Sequence, residues 1–174
     1  MTAKKLTTPD IQKFKESGER LVMSTAYDYH SARIADEAGV DSILVGDSMG
    51  MTIMGYDSTI PVTMEDMLFA TKIVSRAAKR AYVVADLPFM SYQIGRKDAM
   101  VNATRLIKEG GAQAVKLEGA TRMTLGIINR LSEAGIPVVG HLGLTPQQII
   151  NLGAYSVQGK SSESAQALID DALA

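Results

Sequence analysis

Short apolar runs alternate along the chain with longer stretches in which apolar residues recur every three or four positions. The apolar runs span residues 21–26, 42–46, 81–85, 114–118 and 136–140. The helix-like stretches span residues 8–17, 29–38, 63–79, 96–109, 121–134 and 162–174. Such alternation predicts βαβ units and a parallel sheet. The second run contains Ile43, Leu44 and Val45 without polar interruption, which is typical of strands buried on both faces.

Two parallel architectures fit this pattern, an open doubly wound sheet and a closed barrel. A dinucleotide-binding sheet places a Gly-x-Gly-x-x-Gly turn after its first strand. Here that position holds Tyr27-Asp28-Tyr29-His30, which disfavours the dinucleotide fold. The long connection 49–61 is rich in glycine and polar residues and is predicted to be a loop. Thr63 and Asp66 then have the spacing of a helix-capping pair.

Composition narrows the class of protein. A length of 174 residues suits a single domain, 1–174, whereas a complete (β/α)₈ barrel needs about 250 residues. The net charge is −1 and no basic stripe is present, so we expect no nucleic-acid partner. The absence of cysteine excludes disulfides and thiolate metal sites. No signal peptide is evident and no apolar run approaches about 20 residues, so we expect a cytoplasmic protein that does not enter the membrane.

Polar residues follow the predicted strands at the points where they end. Asp47, Asp86, Glu118 and His141 each close an apolar run. Because parallel strands end at the same edge, we expect these side chains to converge there. Converging carboxylates repel one another, and a divalent cation would offset that repulsion. Oxygen ligands favour Mg²⁺ over zinc. Lys116 lies two residues before Glu118 and therefore shares its face.

Each of these residues also has a purely structural interpretation. Asp47 or Asp86 could be a turn residue or a helix cap. Lys116 and Glu118 could form a simple ion pair, and a lone histidine such as His141 is more often a hydrogen-bonded structural residue. The convergence of three carboxylates favours a metal site over these separate explanations.

Seven segments together resemble one known family. They are 25–28 (TAYD), 45–51 (VGDSMGM), 55–63 (GYDSTIPVT), 85–90 (ADLPFM), 115–119 (VKLEG), 140–147 (GHLGLTPQ) and 155–159 (YSVQG). In this order and nearly at this spacing, they resemble the ketopantoate hydroxymethyltransferase family from about residue 21 to the end of the chain.

The resemblance implies an α/β fold, a (β/α)₈ TIM barrel that is incomplete here, with about five of its eight strands. It implies transfer of a one-carbon unit from 5,10-methylenetetrahydrofolate to 3-methyl-2-oxobutanoate, a small 2-oxo acid, through an enolate stabilised by Mg²⁺. The product is 2-dehydropantoate, an intermediate of pantothenate biosynthesis. By match to the motifs, Asp47, Asp86 and Glu118 are the expected metal ligands. The expected substrate contacts are Asp47, Ser48, Asp86, Lys116 and His141.

The chain departs from the family in one respect that bears on activity. The family's proton-abstracting glutamate belongs to a further strand, and no residue here matches it, so no catalytic base is assigned. We therefore expect the 174-residue chain alone to be inactive, and full-length members to form homo-oligomers. Two alternatives remain open. One is a Mg²⁺-dependent carbon–carbon lyase or mutase acting on another 2-oxo acid, and the other is an inactive metal-binding fragment.

Overall fold

A computed structural model describes residues 4–174 and contains a five-stranded sheet with a helix after each strand. The strands are β1 (Met23–Thr25), β2 (Ser42–Val45), β3 (Tyr82–Asp86), β4 (Ala114–Glu118) and β5 (Val138–His141). The α-helices are α1 (Thr8–Ser17), α2 (Tyr29–Glu37), α3 (Met49–Thr52), α4 (Met64–Ala77), α5 (Arg96–Lys108), α6 (Arg122–Glu133), α7 (Ile149–Leu152) and α8 (Ser162–Leu173). A 3₁₀ turn, Pro146–Gln148, precedes α7.

The sheet order confirms the barrel that the family resemblance implied, over the open doubly wound sheet that the apolar pattern alone left open. The strands pair in the order β1-β2-β3-β4-β5, and every pair is parallel. A doubly wound sheet reverses its strand order at a switch point, whereas a barrel adds each strand beside the previous one. The five strands therefore form an arc of a (β/α)-barrel. Within residues 4–174, β1 and β5 each pair with one strand only and are the edges of that arc.

The two faces of the sheet bury different partners. Ile43, Val83 and Val115 belong to the large core that the strands share with the helices. Tyr82 and Val84 belong to a smaller cluster on the other face, with Leu6 and Ile11 packed against it. Because side chains alternate along a strand, the face that carries Tyr82 and Val84 also carries the next alternate residue of β3, Asp86. This face, which is the concave side of the arc, is thus apolar at one end and acidic at the other.

Leu6 and the helix that follows it, α1, cover the apolar end of this concave face. Leu6 donates its N–H to the Arg80 carbonyl at 2.8 Å, and Gln113 Nε2 donates to the Leu6 carbonyl at 2.6 Å. The Thr8 and Tyr82 hydroxyls lie 2.8 Å apart. These contacts shield the lower part of the concave face, which leaves the carboxyl ends of the strands as its open side.

The predicted loop 49–61 was partly wrong, because α3 forms at its start. Met49 is buried in the core, and Gly50 packs directly on Val62. A Cβ at position 50 would lie 2.5 Å from Val62 Cγ2. Gly50 therefore allows a helical turn to pack closely against Val62. The glycine-rich and polar composition of residues 49–61 had predicted a loop there.

The other predicted elements are confirmed with small shifts in their ends. Asp66 accepts hydrogen bonds from the Thr63 N–H at 2.9 Å and the Thr63 hydroxyl at 2.6 Å, as the capping spacing predicted. The strand predicted at 21–26 is shorter, Met23–Thr25, because it pairs along one side only. In the part of the chain from residue 4 onward, none of the helices has both the length and the apolar character needed to cross a membrane.

Asp36 joins the end of α2 to the start of β3. Its carboxylate accepts hydrogen bonds from three successive backbone N–H groups, those of Lys79 at 2.8 Å, Arg80 at 3.0 Å and Ala81 at 2.6 Å. Partial burial favours the protonated acid, but these three donors outweigh it and hold the pKa of Asp36 below its ordinary value.

We predict that Asp36→Ala lowers the free energy of unfolding by about 1–3 kcal/mol, because three amides lose their acceptor. Since the pKa of Asp36 is lowered, its contribution is present above about pH 4 and fades as the pH falls through that lowered pKa. Urea titrations at pH 7 and pH 3 measure both effects. Glu37→Ala is the control, because its side chain is 68% exposed and pairs only with Arg33 on the surface. Equal stability of the two variants at pH 7 would contradict the assignment.

Candidate active site

Six predicted residues surround one cavity at the carboxyl ends of the strands. The cavity has a volume of about 270 Å³. The predicted residues that line it are Asp47, Ser48, Asp86, Lys116, Glu118 and His141. They come from the ends of β2, β3, β4 and β5, so the parallel arrangement brings together residues up to 94 positions apart, from 47 to 141. Their convergence is confirmed, while their roles remain predictions.

Asp47 and Asp86 are buried, and the backbone of Asp47 is hydrogen-bonded to the side chain of Asp86. The Asp47 N–H donates to Asp86 Oδ2 at 3.2 Å. The strand ends come this close because residue 46 is glycine. A Cβ there would lie 2.8 Å from Ser48 Oγ and 3.4 Å from Asp86 Oδ2. A larger residue at position 46 would displace the Ser48 side chain and lie directly against Asp86.

Lys116 is the ammonium group inside this acidic cluster. Its Nζ lies 2.8 Å from Asp86 Oδ1 and 4.0 Å from Glu118 Oε1. Its closer partner is therefore Asp86 on the neighbouring strand, and not Glu118 on its own strand as the simple ion-pair interpretation required. Asp86 Oδ1 is buried and faces the Lys116 ammonium. A carboxylate oxygen has two lone pairs, so Oδ1 has the capacity for one further positive partner.

Glu118 and His141 are paired across the mouth of the cavity. His141 Nδ1 lies 3.1 Å from Glu118 Oε1. An ionised carboxylate only accepts hydrogen bonds, so we assign the proton to Nδ1 in the neutral ring. The Glu118 side chain is 2% exposed, whereas that of His141 is 32% exposed. His141 is thus both hydrogen-bonded, as the structural interpretation held, and open to the cavity.

Burial shapes the protonation of the aspartates. Desolvation, with the neighbouring Asp86 charge, raises the pKa of Asp47 to about 7. Desolvation also raises the pKa of Asp86, although Lys116 opposes the shift. Three carboxylates share one ammonium group, so the site holds more acid than its own base neutralises. Such a site favours the binding of a cation.

Tyr27 and Asp28, which end the first apolar run, divide between two roles. The Tyr27 hydroxyl lies 2.9 Å from Ser48 Oγ and so reaches the cavity wall. Asp28 instead caps α2, because its Oδ1 accepts hydrogen bonds from the N–H groups of His30 at 2.8 Å and Ser31 at 3.0 Å. The structure therefore gives Asp28 a capping role outside the cluster.

Gln147 is a site residue that the sequence analysis did not single out. Its side chain is buried, and its Nε2 donates to Asp47 Oδ2 at 2.8 Å. Its backbone N–H donates to Glu118 Oε2 at 3.0 Å. The only sequence signal was its position at the end of the 140–147 motif, because a glutamine after Thr-Pro otherwise suggests an exposed helix start.

Comparison with known proteins decides the family. The sequence model of the ketopantoate hydroxymethyltransferase family matches residues 5–174. The chain belongs to the ketopantoate hydroxymethyltransferase family. It is 56% identical over 168 residues to the 3-methyl-2-oxobutanoate hydroxymethyltransferase of Thermoanaerobacter pseudethanolicus, covering 97% of this chain and 61% of that protein. The protein of that name from Bacillus cereus (strain AH187) is 57% identical over 166 residues, covering 95% and 59%. The chain thus spans about three-fifths of these relatives.

Solved structures support the same fold. A phosphonopyruvate hydrolase in complex with oxalate and Mg²⁺ superposes with a TM-score of 0.65 at 16% identity, covering 95% of this chain and 60% of that one. A 2,3-dimethylmalate lyase of the PEP mutase/isocitrate lyase superfamily gives a TM-score of 0.63 at 15% identity, covering 95% and 60%. At these identities the likeness concerns the fold, and it agrees with a TIM barrel of which the chain forms an arc.

The donor set of the cavity consists of carboxylate oxygens, whose chemistry suits a hard divalent cation, and Asp47 and Asp86 are its candidate ligands. From residue 4 to residue 174, no group of three or more His, Cys, Asp or Glu side chains is spaced to hold one ion. Both Glu118 oxygens are engaged, by His141 and by the Gln147 N–H. Mg²⁺ usually takes one or two carboxylates and fills its remaining positions with water and substrate, which suits this pair. The expected role of Glu118 as a ligand stays a prediction.

We predict that Asp47→Asn changes how stability depends on pH when EDTA removes divalent cations. The folded pKa of Asp47, about 7, lies above the ordinary value near 4, so its contribution is present below about pH 4 and is lost as the pH rises through 7. The variant lacks this loss, so its free energy of unfolding relative to that of the wild type should rise between pH 5 and pH 8. Urea titrations at pH 5 and at pH 8 measure the difference. The same substitution at the exposed Asp171 is the control, and parallel curves for wild type and Asp47→Asn would refute the assignment.

Proposed function

We propose that the protein transfers a one-carbon unit from 5,10-methylenetetrahydrofolate to 3-methyl-2-oxobutanoate and so forms 2-dehydropantoate in pantothenate biosynthesis. The observation that carries the proposal is the acidic cavity with Lys116 inside it, in a chain 56–57% identical to named hydroxymethyltransferases. Since the chain spans about three-fifths of those relatives, the proposal concerns the protein as a whole.

The cavity suits a small substrate that carries negative charge. Its volume of about 270 Å³ is below the range common for drug-sized ligands and is large enough for a short-chain oxo acid. Its acidic wall would repel an oxo acid unless a cation lay between them. We therefore include Mg²⁺ in the proposal, with Asp47 and Asp86 as its protein ligands and Glu118 completing the acidic wall.

Bound there, a divalent cation would act as a Lewis acid that polarises the 2-oxo group and acidifies the adjacent C–H bond. The side chains of this protein would then bind and orient the substrate. The Lys116 ammonium, at 12% exposure and 2.8 Å from Asp86, is placed to attract a carboxylate once a cation shares the Asp86 charge. The Ser48 hydroxyl, held by Tyr27, can donate to a second substrate oxygen.

Proton abstraction is a separate matter. Glu118 and His141 are hydrogen-bonded to each other, and Asp47 and Asp86 are the proposed cation ligands. We therefore assign the catalytic base to none of residues 4–174. Residue His141 would contact the substrate from the cavity mouth, where its ring is partly exposed. The folate co-substrate, a homo-oligomeric state and a cytoplasmic location belong to the same proposal and rest on family membership.

We predict that, in the full-length protein, formation of 2-dehydropantoate requires the 2-oxo acid, methylenetetrahydrofolate and a divalent cation together, and that EDTA abolishes it. Asp86→Asn should lower kcat/KM by about 100-fold or more, because it removes a cation ligand and the partner of Lys116. Steady-state assays across Mg²⁺ concentrations measure this. Asp171→Asn on the exposed surface of α8 is the control. Full activity of Asp86→Asn, or turnover in EDTA, would overturn the proposal.

The alternative enzyme class is a Mg²⁺-dependent carbon–carbon lyase or mutase. The fold likeness to 2,3-dimethylmalate lyase favours it as the second candidate. Dependence on tetrahydrofolate separates the two, because a lyase would cleave its substrate without that co-substrate. A protein that binds Mg²⁺ but turns over neither kind of substrate would instead support the metal-binding fragment.

A further inference from the structure

Gln147 uses every hydrogen-bonding group of its side chain at a buried position. Its Nε2 donates to Asp47 Oδ2 at 2.8 Å and to the Leu87 carbonyl at 2.9 Å. Its Oε1 accepts from the Tyr92 hydroxyl at 2.9 Å and from Gln93 Nε2 at 3.3 Å. These partners follow the ends of β2 and β3, so one amide in the turn after β5 joins three parts of the site.

The partners fix which way the amide points. The Leu87 carbonyl can only accept, so the nitrogen of the amide must face it. The oxygen then faces the Tyr92 hydroxyl, whose ring is almost fully buried and cannot move aside. The second N–H of Gln147 is thereby aimed at Asp47 Oδ2. Among the described residues, the other oxygen, Asp47 Oδ1, accepts no hydrogen bond, so it is the one left for a ligand.

The same residue also holds the opposite wall of the cavity. Its backbone N–H donates to Glu118 Oε2, while the Tyr92 hydroxyl accepts from the Glu118 N–H at 3.1 Å. Asp47 and Glu118 are thus both held by residue 147, one by the side chain and one by the backbone. The contact to Asp47 requires the glutamine amide, whereas any residue with a backbone N–H could make the contact to Glu118.

We propose that Gln147 is a positioning residue for the divalent cation, holding the Asp47 carboxylate so that Oδ1 is presented to the ion. The inference rests on the proposed function, because it presumes that Asp47 is a cation ligand. A carboxylate that ligates a metal is commonly oriented by a hydrogen bond to its other oxygen, and loss of that partner weakens the metal site.

Gln147→Met tests this, since it keeps much of the volume and removes both amide N–H groups. We expect its Mn²⁺ dissociation constant, measured by calorimetry without substrate, to rise about tenfold or more. We also expect raised Mg²⁺ to restore most of the lost turnover. Gln148→Met is the matched control, because Gln148 is the neighbouring glutamine, is exposed, and among residues 4–174 its side chain hydrogen-bonds Asn151 alone. Its Mn²⁺ affinity should equal that of the wild type.

The outcomes separate the two proposals. Wild-type affinity in a folded Gln147→Met variant would overturn the positioning role and leave the proposed function intact. A wild type that binds no Mn²⁺ would overturn both. If Gln147→Met does not fold, Gln147→Asn takes its place, because it keeps a polar amide at this position but is one methylene shorter and draws the N–H away from Asp47. Weaker Mn²⁺ binding by a folded Gln147→Asn supports the positioning role, and unchanged binding overturns it.

Discussion

Three carboxylates lie buried at the ends of β2, β3 and β4, and one ammonium group, that of Lys116, lies among them. Burying like charges together is costly, and the pKa values of Asp47 and Asp86 are raised as a result. The surrounding structure has to hold groups that repel one another. Much of the local architecture, from Gly46 to the turn after β5, serves that requirement.

The parallel sheet makes the concentration of charge possible. Its concave face is apolar where α1 covers it and acidic at the carboxyl ends of the strands, so the hydrophobic part supports the polar part on the same strands. Tyr92 and Gln147 then supply the hydrogen bonds that a buried carboxylate needs. The result is a preorganised site in which Gln147 holds Asp47 through Oδ2 and Lys116 faces Asp86 Oδ1.

Family membership and the geometry of the cavity each support the same proposed function. Identity of 56–57% to named hydroxymethyltransferases suggests the reaction. The geometry independently suggests a small anionic substrate, a divalent cation and a lysine that offsets charge. The solved structures, at 15–16% identity, add only that the chain has the fold of part of a TIM barrel.

The sequence by itself determined the parallel α/β class, the five strands and the convergence of Asp47, Asp86, Glu118 and His141 at the strand ends. These follow from local periodicity and from the rule that parallel strands end at one edge. The family resemblance added Ser48 to the site and implied the (β/α) barrel. The tertiary structure alone decided that residues Met49–Thr52 form a helical turn. It also decided that Lys116 pairs with Asp86 and that Gln147 reaches Asp47 across 100 positions. Each of these depends on contacts between distant segments, for which the local pattern of apolar and polar residues carries no signal.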